Sequence, residues 1–266
     1  MAAKTREREE NVRSILKATQ ILDCFSDIDR HLSVAEIATR LKVPRGTVHR
    51  IVSTLHAAGF LTRDRERDHY RLGMKLFEYG MTVLSNMELH REAQPYIEAL
   101  TSASGLGTHL CVFDGLHTTI VNHTQPDKKI NSVVVLDTSP AHCTSTGKAA
   151  LAFQDEAVIE RLIRHGLRKL TVHTIADPAA LRAELAGVRR LGYAVDREEK
   201  DLGIRCVGAP IRDAGARVFA AVSVSGPSRR VPEERVPELG AIVIHYANAI
   251  SAQLGYVAPV PETAGA

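Results

Sequence analysis

Residues 33–61 read SVAEIATRLKVPRGTVHRIVSTLHAAGFL, two short apolar-periodic segments separated by a tight polar break. Val34, Ile37, Ala38 and Leu41 recur at i, i+3, i+4 and i+7, which gives a helix one apolar face. Ser33 ahead of them is an N-cap residue, and Glu36 three positions on completes a capping box. Lys42-Val43-Pro44 ends this helix, because proline disfavours helical geometry at the residue before it. Pro44 also suits the start of the next helix, where its missing N–H costs nothing.

The second segment repeats the spacing with Val48, Ile51, Val52 and Leu55 and leaves Arg45, Thr47, His49, Arg50, Ser53 and Thr54 on other faces. A packed inner stripe, an outer face of hydrogen-bonding side chains and a short turn from a preceding helix describe a helix-turn-helix reader of the major groove. The alternative is a plain helical hairpin with a solvated face. Gly59 then closes the helix, and Phe60–Arg63 and His69–Leu72 are strand-like runs around the charged tip Asp64-Arg65-Glu66-Arg67-Asp68. Helix, turn, helix and β-hairpin make a winged helix-turn-helix over residues 1–75. Its expected DNA contacts are Ser33, Arg45, Thr47, His49 and Arg50, with Arg65 and Arg67 of the wing on phosphates.

This run, with YRLGMKLFEYG after it, resembles the DNA-binding domain of the IclR family of bacterial transcription regulators, and the likeness continues from about Ser14 to Tyr256. The resemblance implies that the helix following the wing helps to form a dimer, and that the C-terminal domain is a GAF-like fold binding an effector. KLFEYG near Lys75 and ISAQLGY at 250–256 look most like the subgroup regulating hexuronate and 2-keto-3-deoxygluconate catabolism.

Charge is distributed as this organisation requires. Net charge is only +3, but residues 1–75 carry 15 Lys+Arg against 10 Asp+Glu, and residues 76–266 carry 19 against 21. The N-terminal quarter is therefore the basic, phosphate-binding part. Cys24, Cys111, Cys143 and Cys206 are scattered without CxxC spacing or a signal peptide, which fits free thiols in a reducing cytoplasm. No apolar run approaches the length of a membrane span.

Residues 1–12 read as a polar arm, and Ser14 caps a first helix with Ile15, Leu16, Thr19, Leu22, Cys24 and Phe25 turned inward. A linker of residues 76–89 follows, helical from Met74 to about Ser85, with Leu76, Tyr79, Val83 and Leu84 as the expected contact between two chains. Residues 90–256 form the second domain: a helix from Leu89 to Ala103 that Pro95 divides or kinks, strands at 108–113, 118–123 and 129–136, helices at 146–153, 155–165 and 177–192, strands at 193–196, 205–212 and 218–225, and a last helix from Pro232. This order gives an α+β domain with a mainly antiparallel sheet. Residues 257–266 are a Pro/Ala-rich tail.

Within that domain Ser145-Thr146-Gly147-Lys148 has the S-x-x-K spacing of acyl enzymes, but the partner motifs S-D-N and K-T-G are absent from the sequence. A P-loop would need glycine at 142 and Ser or Thr at 149, where the chain has His142 and Ala149. The same four residues serve better as a helix start presenting N–H groups to a ligand carboxylate, and HCTSTGKAALA resembles an IclR-family signature. His109, Cys111, His142 and Cys143 could gather round a zinc ion, but adjacent His142-Cys143 is poor chelate spacing and Cys111 in a strand is an ordinary small hydrophobe.

Ser223 and Ser225 alternate on a strand and so share a face. The resemblance, carried over position by position, implies that Asp196, Cys206, Ser223 and Ser225 line the effector pocket and that Ser145 and Thr146, with Gly147 in the same turn, form its loop. Cys143 and Thr144 help to shape that loop. These readings combine into an effector-responsive regulator of a catabolic operon, homodimeric or homotetrameric on double-stranded operator DNA. It takes a small keto or hydroxy acid and has no cofactor and no metal. The competing reading is an enzyme of carboxylic-acid metabolism using Ser145 and Lys148, fused to a DNA-binding domain.

Overall fold

The computed structural model describes residues 12–26, 29–64, 68–85, 88–126 and 137–257. The chain divides into two compact units, the first ending at Asn86 and the second beginning at Met87.

The first unit is built on α1 (Arg13–Leu22), α2 (Val34–Leu41) and α3 (Arg45–Ala57), followed by a hairpin of β1 (Leu61–Arg63) and β2 (Tyr70–Leu72) and by α4 (Met74–Ser85). The capping box forms as its residue types require: Ser33 N–H donates to Glu36 Oε2 at 2.7 Å, and Glu36 N–H donates to Ser33 Oγ at 3.3 Å. Ile37, Ala38, Val48 and Val52 of the two apolar stripes are buried together with Ile21, Leu32, Leu61 and Tyr70. Each of the larger aliphatic chains gains about 1.5–3 kcal/mol from this burial.

Two features differ from expectation. In α1 the buried side chains are Ile21 and, just beyond the helix, Phe25, whereas Ile15 is 61% and Leu16 47% exposed. The core meets only the C-terminal turn of α1, so the first two aliphatic residues lie outside it. Ser14 is inside the helix rather than its cap, which is Val12. The hairpin also gains a third segment, because Leu32 N–H donates to Tyr70 O at 3.0 Å and Tyr70 N–H returns a bond to Leu32 O at 2.8 Å. This single bridge ties the wing to the turn preceding α2. Arg65 and Arg67 lie outside the described residues.

The second unit starts with α5 (Glu88–Ser104), which carries Pro95 inside one uninterrupted helix. A six-stranded sheet follows in the order β5-β4-β3-β8-β7-β6, with every described pairing antiparallel: β3 (Gly107–Phe113), β4 (His117–Thr124), β5 (Thr138–Pro140), β6 (Ala194–Arg197), β7 (Ile204–Arg212) and β8 (Val218–Pro227). The strand expected at 129–136 falls outside the described residues. The short β5 was not expected, since Pro140 reads as a breaker; proline is tolerated there because β5 is an edge strand.

Helices α6 (Ser145–Leu151), α7 (Glu156–His165) and α8 (Pro178–Leu191) form one apolar cluster with Ala194 and Ala221 of the sheet. The terminal helix α9 (Val236–Gln253) packs with α5 and against β7 and β8. It begins at Val236 rather than at Pro232, because residues 233–235 form a 3₁₀ turn first.

Candidate functional site

In the first unit Arg45, His49 and Arg50 of α3 are exposed and Thr47 is half-buried. Helical geometry separates them into two groups. Thr47, Arg50 and Thr54 line a groove of about 480 Å³ whose other wall is Arg13, Ser14, Ile15, Lys17 and Ala18 of α1. Arg45 and His49 lie outside that groove, as does Gly46, which has open space where a side chain would stand. Ser33 is committed to the capping box. Arg63 of the wing is held by Asp68, with Nη2 to Oδ1 at 2.6 Å. Arg13 and Lys17 were missed from sequence. Their nearness to the reading helix depends on how α1 crosses α3, which periodicity does not report.

In the second unit one cavity of about 210 Å³ gathers the residues anticipated for ligand binding. Six of the seven, Ser145, Thr146, Asp196, Cys206, Ser223 and Ser225, line it. Sheet register explains the grouping. Asp196 pairs with Cys206 and Cys206 with Ser225, while Gly208 pairs with Ser223 and Ser223 with His109, so both cross-strand rows present one face of the sheet. The first turn of α6 lies over that face, and Gly208 makes the approach possible, since a Cβ there would stand 3.0 Å from the Ser145 carbonyl carbon.

Gly147 is the exception. A Cβ on it would be 2.2 Å from Ala141 O, so this glycine allows α6 to pack on the preceding turn and does not line the cavity. Its N–H is taken by Thr144 Oγ1 at 3.1 Å, which makes Thr144 the cap and begins α6 at Ser145 rather than Thr146.

The electrostatics are unusual for so small a space. Burial pushes the Asp196 carboxyl up to about 7, even though its Oδ1 accepts the Glu199 N–H at 2.7 Å. Burial likewise depresses His109 to about 4, so its imidazole is neutral where it stacks on His123 at 4.9 Å. Cys111 and Cys206 are raised to about 12 by burial and are therefore thiols, with Cys206 Sγ donating to Ser225 Oγ at 3.2 Å. Lys200 completes the lining, its Nζ 2.7 Å from Asp137 Oδ2. His109, Asp137 and Lys200 were not assigned to a ligand site from sequence, because strand alternation identifies a face but not what a curled sheet brings over it. His142, one of the four residues of the zinc alternative, contacts the Arg168 carbonyl at 3.0 Å.

Lys148 does not act on Ser145. Its ammonium is fully buried between Glu199 Oε1 at 2.5 Å and Glu184 Oε1 at 2.9 Å, so it is a structural cation. A larger groove of about 830 Å³, lined by Phe113, Phe153, Arg161 and Arg217 among others, is an open surface depression containing none of the anticipated residues.

Comparison with known proteins decides the family. Residues 14–65 match the IclR helix-turn-helix domain, and residues 81–252 match the domain described as Bacterial transcriptional regulator IclR C-terminal. This chain belongs to the IclR family. It is similar to the KdgR transcriptional regulator of Dickeya chrysanthemi, at 32% identity over 94% of this chain and 82% of that protein. It is also similar to the acetate operon repressor of Salmonella typhimurium, at 31% identity over 96% of this chain and 94% of that one. Among solved structures, an IclR homologue from Microbacterium hydrocarbonoxydans complexed with 4-hydroxybenzoate aligns with a TM-score of 0.70 and 25% identity, over 91% of this chain and 98% of that chain. The protein is thus an IclR-type DNA-binding transcription regulator and not an acyl-transfer enzyme. Among the described residues no helix is long and apolar enough to cross a membrane.

Proposed function

We propose that this IclR-type regulator controls a catabolic operon by binding a small organic acid in the cavity between the α6 turn and the β3–β8–β7–β6 face. The observation that carries this reading is the convergence of Ser145, Thr146, Ser223 and Ser225 with Asp196 and Lys200 on one cavity of about 210 Å³. Hydroxyls donate to a carboxylate or keto oxygen. Asp196 accepts from, or when protonated donates to, the hydroxyl end of the same molecule. The volume corresponds to roughly seven water molecules, enough for a compact hydroxy or keto acid. The likeness to KdgR supports a sugar-derived acid.

On the DNA side, Arg45, Thr47, His49 and Arg50 read base edges, and a dimer assembled through α4 supplies two half-sites. Binding of purified protein to the promoter regions flanking its own gene, repeated with gluconate, pyruvate and 4-hydroxybenzoate, tests the reading. A hydroxylated or keto acid should change operator affinity, and Ser223→Ala with Ser225→Ala should abolish that response while leaving operator binding intact. If the double substitution left the response unchanged, the cavity would not be the effector site.

A further inference from the structure

Lys200 and Asp137 stand at opposite ends of the sheet. Asp137 immediately precedes β5 and Lys200 follows β6 by three residues, and β5 and β6 are the two edge strands of the six. Their side chains nevertheless meet at 2.7 Å. The curl of the sheet closes its two edges over the cavity, and this ion pair spans the closure. Among the described residues lining the cavity, Lys200 is the only lysine or arginine, whereas Asp137, Asp196 and Asp201 supply three carboxyl groups. An acid entering this space finds hydroxyl donors on several sides, but its charge is matched by a cation only at Lys200. The ammonium remains partly accessible, its side chain 29% exposed, but one of its directions is already filled by the Asp137 carboxylate.

From this juxtaposition we infer that Lys200 selects the effector by charge, and that Asp137 acts as an internal competitor occupying Lys200 until a ligand carboxylate takes its place. The inference rests on the effector reading of the cavity. The exchange conserves one charge-assisted hydrogen bond: Lys200 loses Asp137 and gains the ligand carboxylate, and the freed Asp137 is hydrated at the rim, where its side chain is already 45% exposed. Releasing Asp137 also unties the edge at β5 from the turn after β6, so ligand binding is coupled to the link between the sheet edges. A neutral ligand can accept a hydrogen bond from Lys200 but brings no charge to replace the Asp137 carboxylate, and leaves the pair closed.

The two partners then have opposite effects, which a purely structural latch would not produce. Calorimetric titration of the full-length protein at pH 7 with pyruvate, glycerate and gluconate, and with glycerol as the neutral control, separates the cases. Lys200→Gln should weaken the acids roughly tenfold to a hundredfold, the loss expected for one hydrogen bond to a charged group. Lys200→Arg should restore most of the affinity. Asp137→Asn should tighten the same acids several-fold, and glycerol should be indifferent to every variant. Because both side chains are partly solvated, thermal melting should change little in any of them. If Lys200→Gln and Asp137→Asn weaken binding together, the pair is a latch and the inference is overturned. If the wild-type protein binds an acid that Lys200→Gln binds equally well, the effector reading stands and the role of Lys200 is lost. If neither wild type nor Asp137→Asn binds any of the three acids, the effector reading fails and this inference falls with it.

Discussion

Lys148 Nζ lies 2.5 Å from Glu199 Oε1 with the lysine side chain wholly out of solvent and the glutamate only 4% exposed. Among the described residues Glu199 Oε2 has no hydrogen-bond partner, and Lys148 is the cation beside this carboxylate inside the fold. The pair also connects the two parts of the cavity. Lys148 belongs to α6, whose first turn forms one wall, and Glu199 sits in the turn that leads to Lys200. Lys148→Ala should therefore cost about 3–5 kcal/mol, the penalty for leaving a buried charge without its counterion. Urea unfolding of the full-length protein measures it. Replacing both partners with apolar residues of similar volume should recover much of the loss, and a Lys148→Ala protein as stable as wild type would remove the pair from the core's support.

Asp196 makes the cavity sensitive to pH in the neutral range. Its folded pKa is raised to about 7 from an ordinary value of 3.8, so the folded state holds a proton there that the unfolded chain has already lost. The stability tied to that proton is complete below 3.8 and is lost as pH climbs through about 7. Asp196→Asn should flatten this decline in melting temperature, which runs from 3.8 up to about pH 7. Affinity for an anionic ligand should follow the same sign, falling above pH 7 by up to about tenfold per pH unit as a second negative charge appears in the cavity. Lys200 is held above its ordinary value beside Asp137, and burial raises Cys143 and Cys206 to about 12, so the inflection belongs to Asp196. Titrations at pH 6, 7 and 8 with wild type and Asp196→Asn decide the matter.

Gly208 sets the spacing between β7 and the first turn of α6. An alanine there would bring its Cβ within 3.1 Å of both Ser145 Oγ and Thr146 N, so the turn must lift. The overpacking should cost about 1–3 kcal/mol of stability. Ligand affinity should fall by more than this strain accounts for, because Ser145 and Thr146 move together. Calorimetry and unfolding on the same preparation separate the two effects.

The reading helix, its capping box and the antiparallel strands were legible because each is a local pattern: a 3.6-residue stripe, a Ser33–Glu36 pair three apart, an alternation of Ser223 and Ser225. The family resemblance located six of the cavity's residues. What could not be read depends on tertiary curvature. Asp137 and Lys200 are 63 positions apart, and only the curl of the sheet brings them together. His109 reads as an ordinary strand residue until its register opposite Ser223 is known. The exposed Ile15 and Leu16 mark the opposite failure, since an apolar stripe on α1 reveals a face but not how much of it a neighbour covers.

Helix α4 leaves Met74 68%, Phe77 53% and Tyr79 49% exposed, while Leu76 is half-buried. The side chains of Val83 and Leu84, expected in the same interface, lie outside those described. Three large apolar groups along one short helix are more than an isolated chain gains from exposing, so a second copy should cover them. Sedimentation should give a dimer or larger at micromolar concentration. Phe77→Glu should shift it toward monomer and reduce operator affinity through loss of the dimer.

The α3 surface makes separable predictions about base reading and phosphate contact. Arg50 is exposed on the reading helix and Arg13 and Lys17 flank it across the groove from α1, so the three differ in reach although all are basic. If Arg50 meets a guanine edge, Arg50→Ala should cost about 1–3 kcal/mol at the operator and relax preference at one base position. Arg13→Ala and Lys17→Ala should instead weaken all sequences alike, each lowering the slope of log affinity against log salt by about one. Arg65→Ala and Arg67→Ala, expected from the sequence to lie on phosphates, should behave like this second group. Footprinting and salt titrations on the operator and on an unrelated duplex distinguish the classes. Should Arg50→Ala reduce both duplexes equally, Arg50 is a phosphate contact, and sequence reading falls to the exposed Arg45 and His49 on the other side of α3.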